Sequence, residues 1–153
     1  MRARRNDRIE LVDLAINSLL LGGRGDDELI GGAGDDLILG GAGNDELNGA
    51  AGNDVLIDGQ GADRIVGSAG DDVLVAGDVD CHFTHEALRG IAFQWGVNRA
   101  ADDGFAANVL DEMPDGLDML TGSSGADWFI VSSNDKIATF KVQNKVGDSG
   151  TIV

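Results

Sequence analysis

GGRGDDELI (residues 22–30) is followed without a gap by GGAGDDLIL (31–39), GGAGNDELN (40–48), GAAGNDVLI (49–57), DGQGADRIV (58–66) and GSAGDDVLV (67–75). These nonapeptides decide the fold, because a fixed short period marks a repeat architecture. Position four is always Gly, position six is Asp at 27, 36, 45, 54, 63 and 72, and position eight is always Leu or Ile. Glycine lets the backbone turn through positive φ and draws carbonyl oxygens together, so each turn becomes a concave oxygen cage. In the three residues that follow, an extended chain sends only the middle side chain to the inner side. Leu29, Ile38, Leu47, Leu56, Ile65 and Leu74 are therefore predicted to line an interior. A flexible glycine-rich linker would keep neither the Asp nor the apolar column in register.

The 153 residues leave room for one domain or two small ones, and 27 acidic against 11 basic side chains give a formal charge of −16. That charge excludes nonspecific binding to nucleic acid phosphates. Twenty-two of the acids are Asp and 24 residues are Gly, a turn-forming composition. A single Cys removes any intramolecular disulfide framework. No apolar run is long enough to span a membrane as a helix. Residues 22–75 hold twelve acids against Arg24 and Arg64, and six interior side chains are a small core for so long a segment. Stacked turns would set carboxylates against one another, a repulsion that a bound cation reverses.

The nonapeptides resemble the RTX repeats of bacterial secreted proteins, whose consensus is a calcium-binding β-helix repeat. The resemblance implies an all-β parallel β-roll in which two nonapeptides make one coil and Ca²⁺ sits between turn n and turn n+2. It implies as ligands Asp27, Asp36, Asp45, Asp54, Asp63, Asp72, Asp118 and Asp127, with turn carbonyls at Gly23, Gly25, Gly32, Gly34, Gly41, Gly43, Gly52, Gly61 and Gly70. Hard oxygen donors in a flexible cage suit Ca²⁺, and the n to n+2 rule gives four full sites within the six repeats. It also implies an extracellular or cell-surface location and a type I exporter as partner. The terminal Thr151, Ile152 and Val153 behind Asp148 are similar to some uncleaved C-terminal signals of that route.

The period returns at MPDGLDMLT (113–121) and GSSGADWFI (122–130), the first without its leading glycines. Residues 76–112 read as an insertion. Its Ala87, Leu88, Ile91, Ala92 and Trp95 share one face of a helix over about residues 85–95. Residues 1–21 read as an N-terminal cap: Glu10, Asp13 and Asn17 break any export leader, and Ile9, Val12, Ile16, Leu19 and Leu20 fit either a helix or a strand. Residues 131–153, with Ala138, Phe140 and Val142 alternating, read as a C-terminal cap or as a secretion signal.

Positions seven and nine of even repeats pair Leu37/Leu39, Val55/Ile57 and Val73/Val75 on one outer face. In odd repeats they are Glu28/Ile30, Glu46/Asn48 and Arg64/Val66. The apolar face needs a cover, either the helix across Leu39, Ile57 and Val75 or a second copy of the chain. Catalysis is not expected. His85-Glu86 lacks the second His of the zinc protease motif, since Arg89 stands there, and Cys81, His82 and His85 lack a fourth metal ligand. The alternatives to a calcium-folded module are an adhesion or partner-binding scaffold and the tail of a larger toxin or hydrolase. The absence of a regular Thr ladder makes an ice-binding face unattractive.

Overall fold

Each nonapeptide delivers one strand, and each glycine-rich start delivers the turn that carries the chain to the opposite sheet. The computed structural model describes residues 5–11, 14–79, 109–110, 116–125, 127–131, 136–139 and 145–146. One sheet runs in the order β1 (Arg8–Glu10), β3 (Glu28–Gly32), β5 (Glu46–Ala51), β7 (Arg64–Ala69), β11 (Met119–Ser124) and β13 (Lys136–Thr139). The other runs β14 (Lys145–Val146), β12 (Trp128–Ile130), β8 (Val73–Val75), β6 (Val55–Gln60), β4 (Leu37–Ala42) and β2 (Leu19–Arg24). All neighbours within these two sheets are parallel, so the architecture is a parallel β-roll with two nonapeptides per coil, as the repeat implied. No helix occurs among the described residues.

The interior is the position-eight column. Leu29, Ile38, Leu47, Leu56, Ile65 and Leu74 are fully buried, and Leu20, Leu120 and Phe129 extend the same cluster. The turns pack backbone on backbone. At Gly52, φ is 130°, and an added Cβ would fall on the Gly34 carbonyl oxygen of the coil below. Ala50 holds a φ of 77° with a side chain in place. A left-handed non-glycine residue costs about 1–2 kcal/mol, and glycine adds about 0.4–1 kcal/mol of unfolded-state entropy. Ala50→Gly should therefore stabilise the calcium-loaded roll by about 0.5–1 kcal/mol, read as a rise in thermal midpoint; a fall would show that the turn does not hold this conformation in solution.

Of the two readings of the N-terminal segment, the described residues take the strand, as parts of two further, degenerate turns. Asn6 and Asn17 accept the N–H groups of Asp26 and Asp35 at 3.1 Å each, and the N–H groups of Asp7 and Ser18 donate to Asp27 Oδ1 and Asp36 Oδ1 at 2.7 Å each. Asn6-Asp7 and Asn17-Ser18 thus imitate positions five and six, with Ile9 and Leu20 packed at position eight.

Past Val75 the register survives the interruption: Leu120 pairs with Ile65, and Phe129 with Leu74. Gly77 has a φ of 123°, like Gly41 and Gly59 two and one coils earlier, and its N–H donates to Asp58 Oδ1 at 2.7 Å. Ala76 and Gly77 therefore take positions one and two of the next turn. Gly116 takes position four, its N–H donating to the Gly61 carbonyl oxygen at 2.6 Å. Ala76 N–H donates to the Ile130 carbonyl oxygen at 2.8 Å and Gly77 N–H to the Asp58 carboxylate, so these first two residues of the expected insertion still lie on the roll. Beyond it, β9 (Asp78–Val79) and β10 (Val109–Leu110) form an antiparallel pair.

The outer face of the even strands is buried within one chain toward its C-terminal coils: Ile57 is 2 % and Val75 0 % exposed, while Leu21, at the equivalent place near the N-terminus, is 44 % exposed. The helix expected at 85–95 as its lid lies outside the described residues, as do Cys81, His82 and His85. The odd face is wet, with Arg8 paired to Glu28 and Arg64 to Glu46 across neighbouring strands.

Candidate metal centre

Position six sits where the turn ends and the strand begins, so the parallel stacking that aligns the strands also aligns the Asp side chains. Six of the eight donate their backbone N–H to the Oδ1 of the Asp one coil further on. Asp27 donates to Asp45 at 2.8 Å, Asp45 to Asp63 at 2.6 Å, Asp36 to Asp54 at 2.8 Å and Asp54 to Asp72 at 2.9 Å. The chain of bonds crosses the insertion: Asp63 donates to Asp118 at 2.7 Å and Asp72 to Asp127 at 3.2 Å. All eight residues expected at position six are brought into two columns, one along each edge of the roll, and all eight are buried. The pairs at Asp63/Asp118 and Asp72/Asp127 join the four expected within the first six repeats.

These columns carry uncompensated charge. Every buried charged side chain among the described residues is an Asp, and none is Lys or Arg. The Oδ2 atoms of Asp27, Asp45, Asp54 and Asp72 are buried and accept no hydrogen bond. Burial pushes Asp45 up to about 6, Asp72 to about 7 and Asp54 to about 8; the neighbouring carboxylates add to the rise, and the backbone N–H each accepts partly offsets it. Burial likewise raises Asp36, and Asp58 lies well above the usual carboxylate range. Ionised carboxylates in such a place need a cation.

The donors present fit a hard cation. A Cβ added at Gly22 would meet both Asp27 Oδ2 and the Gly40 carbonyl oxygen at 2.6 Å, so a carboxylate and the position-one carbonyl of the next coil face one small space. Gly40 faces Asp45 Oδ2 and the Asp58 carbonyl in the same way. Position one was absent from the sequence-derived ligand set and supplies these further oxygens. Of the glycines in that set, Gly25, Gly43 and Gly61 stack on one edge, Gly34, Gly52 and Gly70 on the other, and Gly23 under Gly41. Gly32 instead meets the Leu11 and Leu14 carbonyls of the N-terminal segment. All-oxygen donors on a compliant backbone suit Ca²⁺ better than zinc or copper.

Sequence reasoning also missed position five. Asp26 Oδ1 accepts the Asn44 N–H at 2.9 Å and Asn44 Oδ1 the Ala62 N–H at 3.0 Å, with Asp35, Asn53 and Asp71 linked likewise on the other edge. The signal was available, since five of the six repeats carry Asp or Asn there.

A parallel roll whose turns stack buried carboxylates and carbonyls defines a repeat module with an oxygen-rich column along each edge beside its apolar column. The family model of the RTX calcium-binding nonapeptide repeat, in four copies, matches residues 21–56 and 48–80. Residues 21–80 of this chain are RTX calcium-binding nonapeptide repeats. No curated protein and no solved structure matches the chain.

Proposed function

We propose that this chain is a non-enzymatic, calcium-binding β-roll module of a secreted or cell-surface bacterial protein, and that calcium binding completes its fold. The observation that carries the reading is the row of buried position-six carboxylates whose Oδ2 atoms accept no hydrogen bond at Asp27, Asp45, Asp54 and Asp72. A bound Ca²⁺ supplies the positive charge and oxygen coordination that join one coil to the next. Asp27, Asp36, Asp45, Asp54, Asp63, Asp72, Asp118 and Asp127 hold it, with the turn carbonyls, while their Oδ1 atoms fix the turn backbone. Six successive Asp pairs correspond to six ions, which would cancel most of the −16 charge. Where calcium is scarce the carboxylates repel and the chain stays unfolded; extracellular modules bind at about 10⁻⁴–10⁻³ M, so folding follows export. A calcium titration read by circular dichroism, with native mass of the loaded chain, tests this; a chain that binds no calcium overturns it.

Type I export is the matching route, because an unfolded chain threads readily. Deleting residues 147–153 should abolish export from a cell carrying a compatible exporter while leaving the calcium-induced β signal of the purified protein intact. Undiminished secretion of the shortened chain would remove the C-terminus as the signal.

A further inference from the structure

Position one is Gly in five of the first six repeats, and Asp58 is the exception. At Gly22, Gly31, Gly40, Gly49 and Gly67 the missing side chain would point at the position-six carboxylate of its own repeat. Asp58 places a carboxylate in that very space. One oxygen of each of Asp58, Asp63 and Asp118 lies within 4.8 Å of the others, and all three side chains are buried. Asp58 Oδ1 accepts the N–H groups of Gly59 and Gly77, each at 2.7 Å. That leaves Asp58 Oδ2 fully buried with no hydrogen-bond partner, in a side chain that belongs to this three-carboxylate cluster.

A buried acid with one oxygen held and the other orphaned costs free energy unless something binds it. The site also lies where the chain leaves the roll and re-enters it. Within the first six repeats position-six partners are 18 residues apart, whereas Asp63/Asp118 and Asp72/Asp127, which span the insertion, are 55 apart, and closing the longer loop costs more entropy. Gly77 is the last roll residue before the insertion and Asp118 lies just after it, so both chain ends meet at Asp58.

We propose that Asp58, Asp63 and Asp118 form a three-carboxylate calcium site, tighter than the other sites of the roll, that fastens the seventh turn across the insertion. The proposal rests on the calcium reading of the roll and adds a donor that the other five of the first six repeats do not possess. Affinity for hard cations rises with ligand charge, so one ion should bind about tenfold or more tightly than the rest.

Calcium titration of the full chain against a chromophoric chelator, with native mass spectrometry to count ions, tests it. The wild-type chain should show one tight ion ahead of a weaker class. In Asp58→Gly, which carries the residue of the other repeats, and in Asp58→Asn, that ion should join the weaker class, with the β signal at saturating calcium unchanged. A wild-type chain without a tight ion overturns the proposal. So does a tight ion retained in both variants, or a loss of stability in them without loss of that ion, which would make Asp58 a strut for Gly59 and Gly77 only. A full chain that binds no calcium would instead remove the reading of the whole roll.

Discussion

Stripped of calcium near neutral pH, the chain will lose its β signal, and it will regain it cooperatively as calcium is restored. The folded roll buries eight position-six carboxylates and no basic side chain among its described residues, and the hydrogen bonds at their Oδ1 atoms do not neutralise them. Six interior Leu and Ile of the nonapeptides cannot offset both that burial and the ordering of the turns. Substitutions should grade with position in the column. Asp54 belongs to the pairs with Asp36 and Asp72, whereas Asp27 belongs to one pair within the repeats. At about 1.5–3 kcal/mol per charge-assisted contact, Asp54→Ala should cost about 3–6 kcal/mol of calcium-linked stability and Asp27→Ala about half as much. Equal calcium midpoints for the two variants would contradict a bridge between turn n and turn n+2, and a β signal unchanged in calcium-free buffer would contradict the coupling itself.

Acid should act in opposite directions on the calcium-free and calcium-bound states. Without calcium, the folded-state values near 6 for Asp45, 7 for Asp72 and 8 for Asp54 stand above the unfolded value, so the folded chain holds more protons between about pH 4 and 8. Stability is then fullest below the unfolded pKa and is lost as pH rises through the folded values. In calcium-depleted buffer the β signal should accordingly be weakest at pH 8 and grow as pH is lowered toward 5. Calcium binding has the reverse dependence, since its ligands must lose their protons, and its midpoint should move to higher concentration over the same range. Circular dichroism at matched ionic strength measures both. An apo signal indifferent to pH, or a calcium midpoint that improves with acid, would mean that these carboxylates do not titrate in the folded chain.

Much of this molecule is legible from residues 22–75 because one period carries both signals: the Asp that terminates each turn and the apolar residue two places later. Even the partnership of Phe129 with Leu74 follows from parity, provided the interruption loops out of the coil. The N-terminal turns were harder to see. Asn6-Asp7 and Asn17-Ser18 reproduce positions five and six without any glycine-rich start, and their apolar residues also fall at helical spacing. Ala76-Gly77 were hidden because they open a turn whose remaining residues arrive only at Gly116. Asp58 read as one more turn Asp, since nothing in a linear pattern shows that its side chain occupies the space left empty beside every position-one glycine.

The anchoring of Gly77 to Asp58 and of Gly116 to Gly61 leaves both lips of the interrupted turn fixed by the coil beneath. The length of chain between those lips enters mainly as loop entropy. Each doubling of that loop costs only about 0.6 kcal/mol, less than a single charge-assisted hydrogen bond contributes. On loop-entropy grounds the seventh turn thus tolerates a change in the length of the insertion, with the coils on either side keeping their phase.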